Sequence, residues 1–302
     1  MKIFPFLFIL TSFGIAHAQL QIPELSPPGK VIQKIGFTTF EVYYERPAAR
    51  GRSGEEIFGK LVPFGKVWRT GAGNCTTISF DTDVLINHQT VPKGKYALFT
   101  IPERNSWTVI LNTDTLAYGA YNYDKAKDVV RVEAPSRRTE RYYEALTIDI
   151  DFIPNDARIY ISWLNTQVSF DVSTGLDKTI LSFIRENLIL RSSDNPDLYQ
   201  SAIEYYLWHR QERKQVMKFI DRGIELKNDR IWYYWKVEEL MEDKRYVEAR
   251  TAAKAGIKII HNSLESPERK IELIRDFENY IAQMDLLDAN ERTTCDPVMP
   301  KP

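Results

Sequence analysis

The sequence predicts a β domain, an antiparallel sandwich or barrel, followed by an all-α domain of helical hairpins. Three observations predict it. Up to about residue 173 apolar residues alternate with polar ones in short runs, the mark of half-buried strands. Turn signals such as Pro92-Lys93-Gly94 and Pro154-Asn155-Asp156 separate those runs, and no helical pattern long enough for a crossover lies between them. After "STGLDK" (173–178) the period changes to that of amphipathic helices and stays so.

The 302-residue chain is long enough for two domains of ordinary size. It opens on "MKIFPFLFILTSFGIAHAQ", with Lys2, an apolar run from Ile3 to Ile15, and the small-x-small pattern Ala16-His17-Ala18. That is a signal peptide, with cleavage expected after Ala18. The apolar run is shorter than the roughly 20 residues a bilayer span needs, so no membrane span is expected after cleavage. The expected location is the periplasm or the cell exterior. Apolar content of 43%, charged content of 27% and a net charge of −1 fit a soluble globular protein and carry no basic excess for nucleic acid.

In the β domain, expected over 25–173, "TTFEVYYE" (38–45) places Phe40, Val42 and Tyr44 on one face. Similar runs follow at 76–80, 83–87, 96–101, 107–112, 128–133, 145–153, 158–164 and 167–172, for about nine or ten strands. Ser53-Gly54-Glu55-Glu56 fits a capping box, and Gly59 would end the short helix it starts.

The helical domain is expected over 176–287. "ILSFIRENLIL" (180–190) puts Ile180, Phe183, Ile184 and Leu188 on one face, and Asn195-Pro196 reads as an N-cap with proline at the first helical position. Further helices are expected near 197–210, 212–226, 229–243, 246–262 and 267–286, the last with a stripe of Ile271, Ile274, Phe277, Ile281 and Met284. Gly223 and Gly256 align about 33 residues apart, close to the roughly 34-residue tetratricopeptide period. Ala249, Ala253 and Gly256 fall where small residues let paired helices approach, so this region loosely resembles tetratricopeptide repeats; a plain bundle is the other reading. Residues 288–302, ending "TTCDPVMPKP", read as a disordered tail.

Motifs for common chemistries are absent: no G-x-S-x-G, no H-E-x-x-H, no phosphate-binding G-x-x-x-x-G-K-[ST]. His88, His209 and His261 are widely separated, and Cys75 and Cys295 are too few for a structural zinc site. No metal, cofactor or catalytic residue is therefore assigned. The two cysteines are either free thiols or a tether between tail and first domain. Asp149 and Asp151 alternate with inward Leu146, Ile148 and Ile150, which makes them a solvated outer face.

Two aromatic-rich connections remain. "FGKLVPFGKVWRTGAGNCTTISF" (58–80) offers Trp68 and Arg69, and "YGAYNYDKAKD" (118–128) offers Tyr118, Tyr121, Tyr123 and Asp124. The rings suit stacking on a glycan or peptide, and Arg46, Arg50, Arg52 and Arg69 suit an anionic group, because guanidinium forks match carboxylate or phosphate. The opposing reading makes them tucked loops, with Trp68 plugging the end of the sandwich. In the helical domain Trp232, Tyr233, Tyr234 and Trp235 are consecutive and cannot all face one core. Trp232, Tyr233 and Trp235 are candidates for a surface that binds a protein partner.

"RPAARGRSGEEIFGKLVPFGKVWRTGAGNCTTISF", "VPKGKYALFTIP", "WTVILN" and "YGAYNYDKAKDVVRV" together resemble the family known as domain of unknown function 2911, over about residues 25 to 173. Ser53-Gly54-Glu55-Glu56 lengthens the loop before "IFG", and Gly73-Asn74-Cys75 stands where the family more often has an acidic turn. The resemblance implies an exported β-rich bacterial domain, often followed by a helical tail, and assigns no catalytic residue. The expected function is a non-catalytic envelope protein whose β domain binds or scaffolds and whose helical domain docks a partner. The alternative is a hydrolase or lyase on an envelope or extracellular polymer, with Asp124, Asp128, Arg69 and the tyrosines meeting in one cleft.

Overall fold

The computed structural model describes residues 22–210 and 212–294. The expected signal peptide, Cys295 and the end of the tail lie outside the described residues. The chain divides into two compact units between Asp177 and Lys178.

Among the described residues the first unit holds nine strands: β1 (Pro28–Ile35), β2 (Thr38–Glu45), β3 (Thr77–Phe80), β4 (Val84–Ile86), β5 (Gln89–Val91), β6 (Gly94–Pro102), β7 (Ser106–Asn112), β8 (Asp128–Ile153) and β9 (Asp156–Ser173). Their order is β1-β2-β3-β6-β7-β8-β9-β4-β5, with every neighbour antiparallel. Strand β8 passes from one leaf to the other: its first part pairs with β7 as far as Pro135, and from Ser136 it pairs with β9. The inward residues of both leaves form one core, with Phe40 and Val42 of β2, Trp107 and Val109 of β7, Ile148 of β8 and Ile161 and Trp163 of β9. Beyond β2 the chain crosses to the second leaf, where Ala48 bridges to Ala145.

The strand total agrees with expectation, but its make-up differs. The runs at 128–133 and 145–153 are one strand, as are those at 158–164 and 167–172. Their join is a bend, with register shifts between Arg138 and Tyr143 and between Tyr143 and Thr147 rather than a turn. Strands β1 and β5 were not expected. β1 is an edge whose alternation is broken by an outward Ile32 and an inward Gln33, and β5 is too short to show a period. Asn87 and His88 both take left-handed backbone in the two-residue turn joining β4 to β5, so His88 is a hairpin residue. Between β7 and β8 the loop at 113–127 covers the outer face of the first leaf. There Ala97, Phe99, Ile110 and Cys75 form a second small core. The short helix α1 (Gly54–Ile57) starts with the expected capping box: Glu56 N–H donates to Ser53 Oγ at 3.3 Å and Ser53 N–H to Glu56 Oε2 at 2.7 Å.

Helix α2 (Leu176–Ile184) leads into a wider π-helical run, Arg185–Leu190. Then come α3 (Pro196–Trp208), α4 (Arg213–Leu226), α5 (Arg230–Glu242), α6 (Tyr246–His261) and α7 (Pro267–Thr294). Asn195 caps α3 by accepting from Asp197 N–H at 3.0 Å. Two cores follow one another, the first around Tyr199, Phe219 and Trp232, the second around Val237, Ala253 and Phe277. The glycines sit at equivalent contacts: a Cβ on Gly223 would meet the Trp232 ring, and one on Gly256 the Phe277 ring, each at 2.5 Å.

Three details depart from expectation. Phe183 is exposed, because burial follows the i, i+4 row Ile180, Ile184, Leu188. Ile271 is exposed and Leu273 takes the inward place. Helix α7 also runs on to Thr294, into the segment expected to be a disordered tail. Its end is held by Arg250 of α6, which pairs with Asp285 at 3.0 Å and also with Asp288. Among the described residues no helix is long and apolar enough to cross a membrane.

Candidate functional site

The corner that carries Trp68 is built from backbone pairing and close approach. Trp68 and Thr100 of β6 exchange backbone hydrogen bonds of 2.7 and 2.9 Å. This aims the indole inward, where it is 8% exposed, stands edge-on to Trp107 and stacks on Trp163. Its Nε1–H donates to Gly71 O at 3.1 Å, so the buried polar tip is satisfied. Thr70 is buried in left-handed backbone (φ 56°), and its hydroxyl pairs with that of Thr100 at 3.0 Å. The turn Gly73-Asn74-Cys75 has no carboxylate of its own, yet it receives one. Asn74 donates from its backbone and its side-chain amide to Glu45 Oε1, at 3.2 and 3.1 Å.

Against this corner lies a cavity of about 520 Å³, walled by Trp68, Trp163, Leu61, Arg50, Arg52 and Arg69 among others. Arg52 donates from Nε to Ala49 O and from a terminal nitrogen to Ala48 O, both at 2.8 Å. Arg50 reaches Leu25 O at 2.9 Å. The Nε of Arg69 is buried with no hydrogen-bond partner among the described residues. Among those residues no carboxylate lines the cavity and none of its three arginines is in an ion pair. Guanidinium stays charged at any physiological pH, so the cavity holds fixed positive charge beside an aromatic wall.

Of the residues singled out from sequence, Trp68, Arg50, Arg52 and Arg69 meet here; Arg46, Tyr118, Tyr121, Tyr123 and Asp124 do not. Arg46 points to the second leaf, donating to Leu146 O and to Thr147 Oγ1, both at 3.0 Å, and so ties β2 to β8. Tyr118 and Tyr121 are 68% and 83% exposed, on the loop over the outer face. That loop meets the corner through backbone bonds, Gly119 N–H donating to Gly73 O at 3.2 Å and Asn74 bridging to Tyr118, and through Cys75, which packs with Ala117 and Ala120. Tyr123 turns to the small outer core, edge-on to Phe99, and donates its hydroxyl to Asp128 at 2.6 Å. Burial first, and then Asp128, push its phenol up to about 12. Arg131 completes the group, donating to Asp128 at 2.8 Å and to the Tyr123 oxygen at 2.6 Å. Asp124 caps a single 3-10 turn by accepting from Ala126 N–H at 2.9 Å. Tyr123, Asp124 and Asp128 therefore do not line the Trp68 cavity. The physical reason is that the loop carrying Tyr123 and Asp124 lies over the outer face of the first leaf, where Tyr123 packs on Phe99, whereas Trp68 enters the core between the leaves.

A carboxyl that burial does push up lies in the helical unit: Glu239, opposed by Arg213 at 2.9 Å. Its partner sits on α4 and its role is to join α4 to α5. Among the described residues no group of three His, Cys, Asp or Glu side chains is arranged to hold a metal. Cys75 is buried, and its thiol is pushed up first by burial and then by Asp114.

The four consecutive aromatics divide between the two helical cores. Trp232 is 2% exposed, edge-on to Trp235, and both belong to the first core. Tyr233 and Tyr234 turn to the second. Trp232, fully buried, thus corrects the expectation of a partner surface, whereas Trp235 is half-buried against the same core. Tyr233 is half-buried, donates to Asn228 at 2.8 Å, and lines a shallow cavity with Lys236 and Arg245.

Sequence reasoning did not place Trp163 at the corner. The available signal was its inward position in "RIYISWL", in phase with Ile159 and Ile161. No curated protein and no solved structure matches the chain. The β unit does match: residues 26–172, from just before β1 to the end of β9, fit the family described as "Protein of unknown function (DUF2911)".

Proposed function

We propose that the protein is an exported binding module whose β unit takes a small anionic ligand in the cavity beside Trp68. The carrying observation is the cavity's wall: three arginines without an ion-pair partner, one with a buried unpartnered Nε, and no lining carboxylate among the described residues. A buried donor left unpaired is unfavourable by about 1–3 kcal/mol, so a ligand that accepts from Arg69 recovers that energy on binding. A glycan or a peptide bearing a carboxylate has the needed chemistry. In the same reading the helical unit, with its tetratricopeptide-like pairing of glycine and aromatic, is the part that docks a protein partner, and the chain acts outside the cytoplasm without a catalytic step.

The test is a thermal-shift screen of residues 19–302 against galacturonate, neutral sugars, peptidoglycan fragments and short peptides, run beside Arg69→Gln. Arg69 is a better probe than Trp68, whose removal would damage the core. A ligand that raises the melting temperature of the wild type and not of the variant supports the reading. Equal shifts in both proteins, or turnover of any of these compounds, would overturn it.

A further inference from the structure

Arg52 belongs to the walls of two cavities. Besides the corner cavity, that side chain lines a second cavity of about 370 Å³, together with Arg104, Arg137, Arg138, Tyr142 and Thr166 among others. Arg104 lies in the β6–β7 turn, Arg137 and Arg138 at the bend of β8, and Thr166 in the middle of β9, so one end of the sandwich gathers them from four places in the sequence. Arg137 donates to Gln167, with its Nε at 2.9 Å, and Arg104 lies over the Phe64 ring at 5.3 Å. Neither contact neutralises charge. Across both cavities, among the described residues, none of the six arginines is in an ion pair and no carboxylate or lysine lines the wall. Acidic groups flank the walls without pairing with these arginine side chains: Glu144 accepts from Arg50 N–H and Tyr142, and Glu55 and Glu103 line a neighbouring hollow that shares Arg104, Ser136 and Thr166 with the second cavity. In a chain with 41 acidic and 40 basic residues, six unpaired arginines at one end are a departure from the mixed surface elsewhere.

We propose that the two cavities form one continuous track for an anionic polysaccharide carrying a carboxylate on successive sugars. Guanidinium without lysine suits planar carboxylates held by paired hydrogen bonds. Hydroxyls of Ser136 and Thr166 and the half-exposed Tyr142 ring suit the hydroxylated, weakly apolar body of a sugar. The inference rests on the corner cavity being a ligand site and extends it to a polymer.

Calorimetry on residues 19–302 tests it with galacturonate, its α-1,4-linked hexamer, the methyl-esterified hexamer and hexaglutamate. The hexamer should bind at least about tenfold more tightly than the monomer, and esterification should remove that gain. The exposed pair Arg104→Ala and Arg138→Ala should weaken the hexamer by about tenfold or more and leave the monomer unchanged, whereas Arg69→Gln should weaken both. Melting curves of each variant, unchanged from the wild type, separate a binding loss from a folding loss. A hexamer no tighter than the monomer, or one indifferent to Arg104 and Arg138, overturns the track and leaves the corner site standing. Monomer binding indifferent to Arg69→Gln overturns the corner site itself. Tighter binding of hexaglutamate than of the sugar hexamer overturns the glycan class.

Discussion

Trp68 stacks on Trp163 with ring centroids 6.0 Å apart and planes 18° apart, which joins the loop before β3 to the inner face of β9. The contact makes Trp68 part of the sandwich core and leaves Arg69 to face the cavity. Trp68→Ala is therefore expected to lower the unfolding free energy by about 3–5 kcal/mol, and Trp68→Phe by less. Urea denaturation measures both. A loss under about 1 kcal/mol for the alanine variant would show that the ring is not core.

Gly73 has φ 53°, and a Cβ there would stand 2.1 Å from Glu45 Oε2. Gly73→Ala should lose about 1–3 kcal/mol, from left-handed strain and from the clash. The two sources separate in a double-mutant cycle. With Glu45→Ala in place, Gly73→Ala should lose less than it does in the wild type, because only the backbone strain remains. Strict additivity would mean that Glu45 does not hold this turn.

Tyr123 titrates late, at about 12, because it is buried and its hydroxyl donates to Asp128. The folded pKa is raised above the ordinary value of roughly 10. Its contribution to stability is therefore complete below pH of about 10 and is lost as pH rises through about 12. An ultraviolet titration of the wild type against Tyr123→Phe should show one tyrosine missing from the late phase, which Tyr280 shares. If the missing tyrosine comes from the ordinary phase instead, the Tyr123–Asp128 bond is not formed.

Gly256→Ala sets two effects against each other. Alanine favours the helix by up to about 1 kcal/mol over glycine. Its methyl would stand 2.5 Å from the Phe277 ring, and overpacking of that kind is unfavourable by about 1–3 kcal/mol. A net loss in the thermal unfolding of the helical unit is expected. A gain would mean that α6 and α7 are not in close contact at this point.

The sequence by itself determined the division into a β unit and a helical unit, the capping box at Ser53, the N-cap at Asn195 and the inward faces of most strands. Each is a local pattern, set within a few residues by side-chain alternation, by the helical period or by a cap reaching its own first turn. Tertiary structure decided the rest. Arg46 and Arg69 are alike as sequence, yet Arg46 finds carbonyl and hydroxyl acceptors about a hundred residues away on β8, whereas the Nε of Arg69 finds none among the described residues and the side chain stays at the cavity. Tyr123 and Trp68 both sit in aromatic-rich connections, and the two faces of one sheet part them. The six arginines of the proposed track come from segments as far apart as Arg50 and Arg138, and only the fold, by bending β8 at its mid-length, brings their charges to one end. Such meetings depend on long-range pairing and not on spacing along the chain, which is why no local pattern in the sequence announces them.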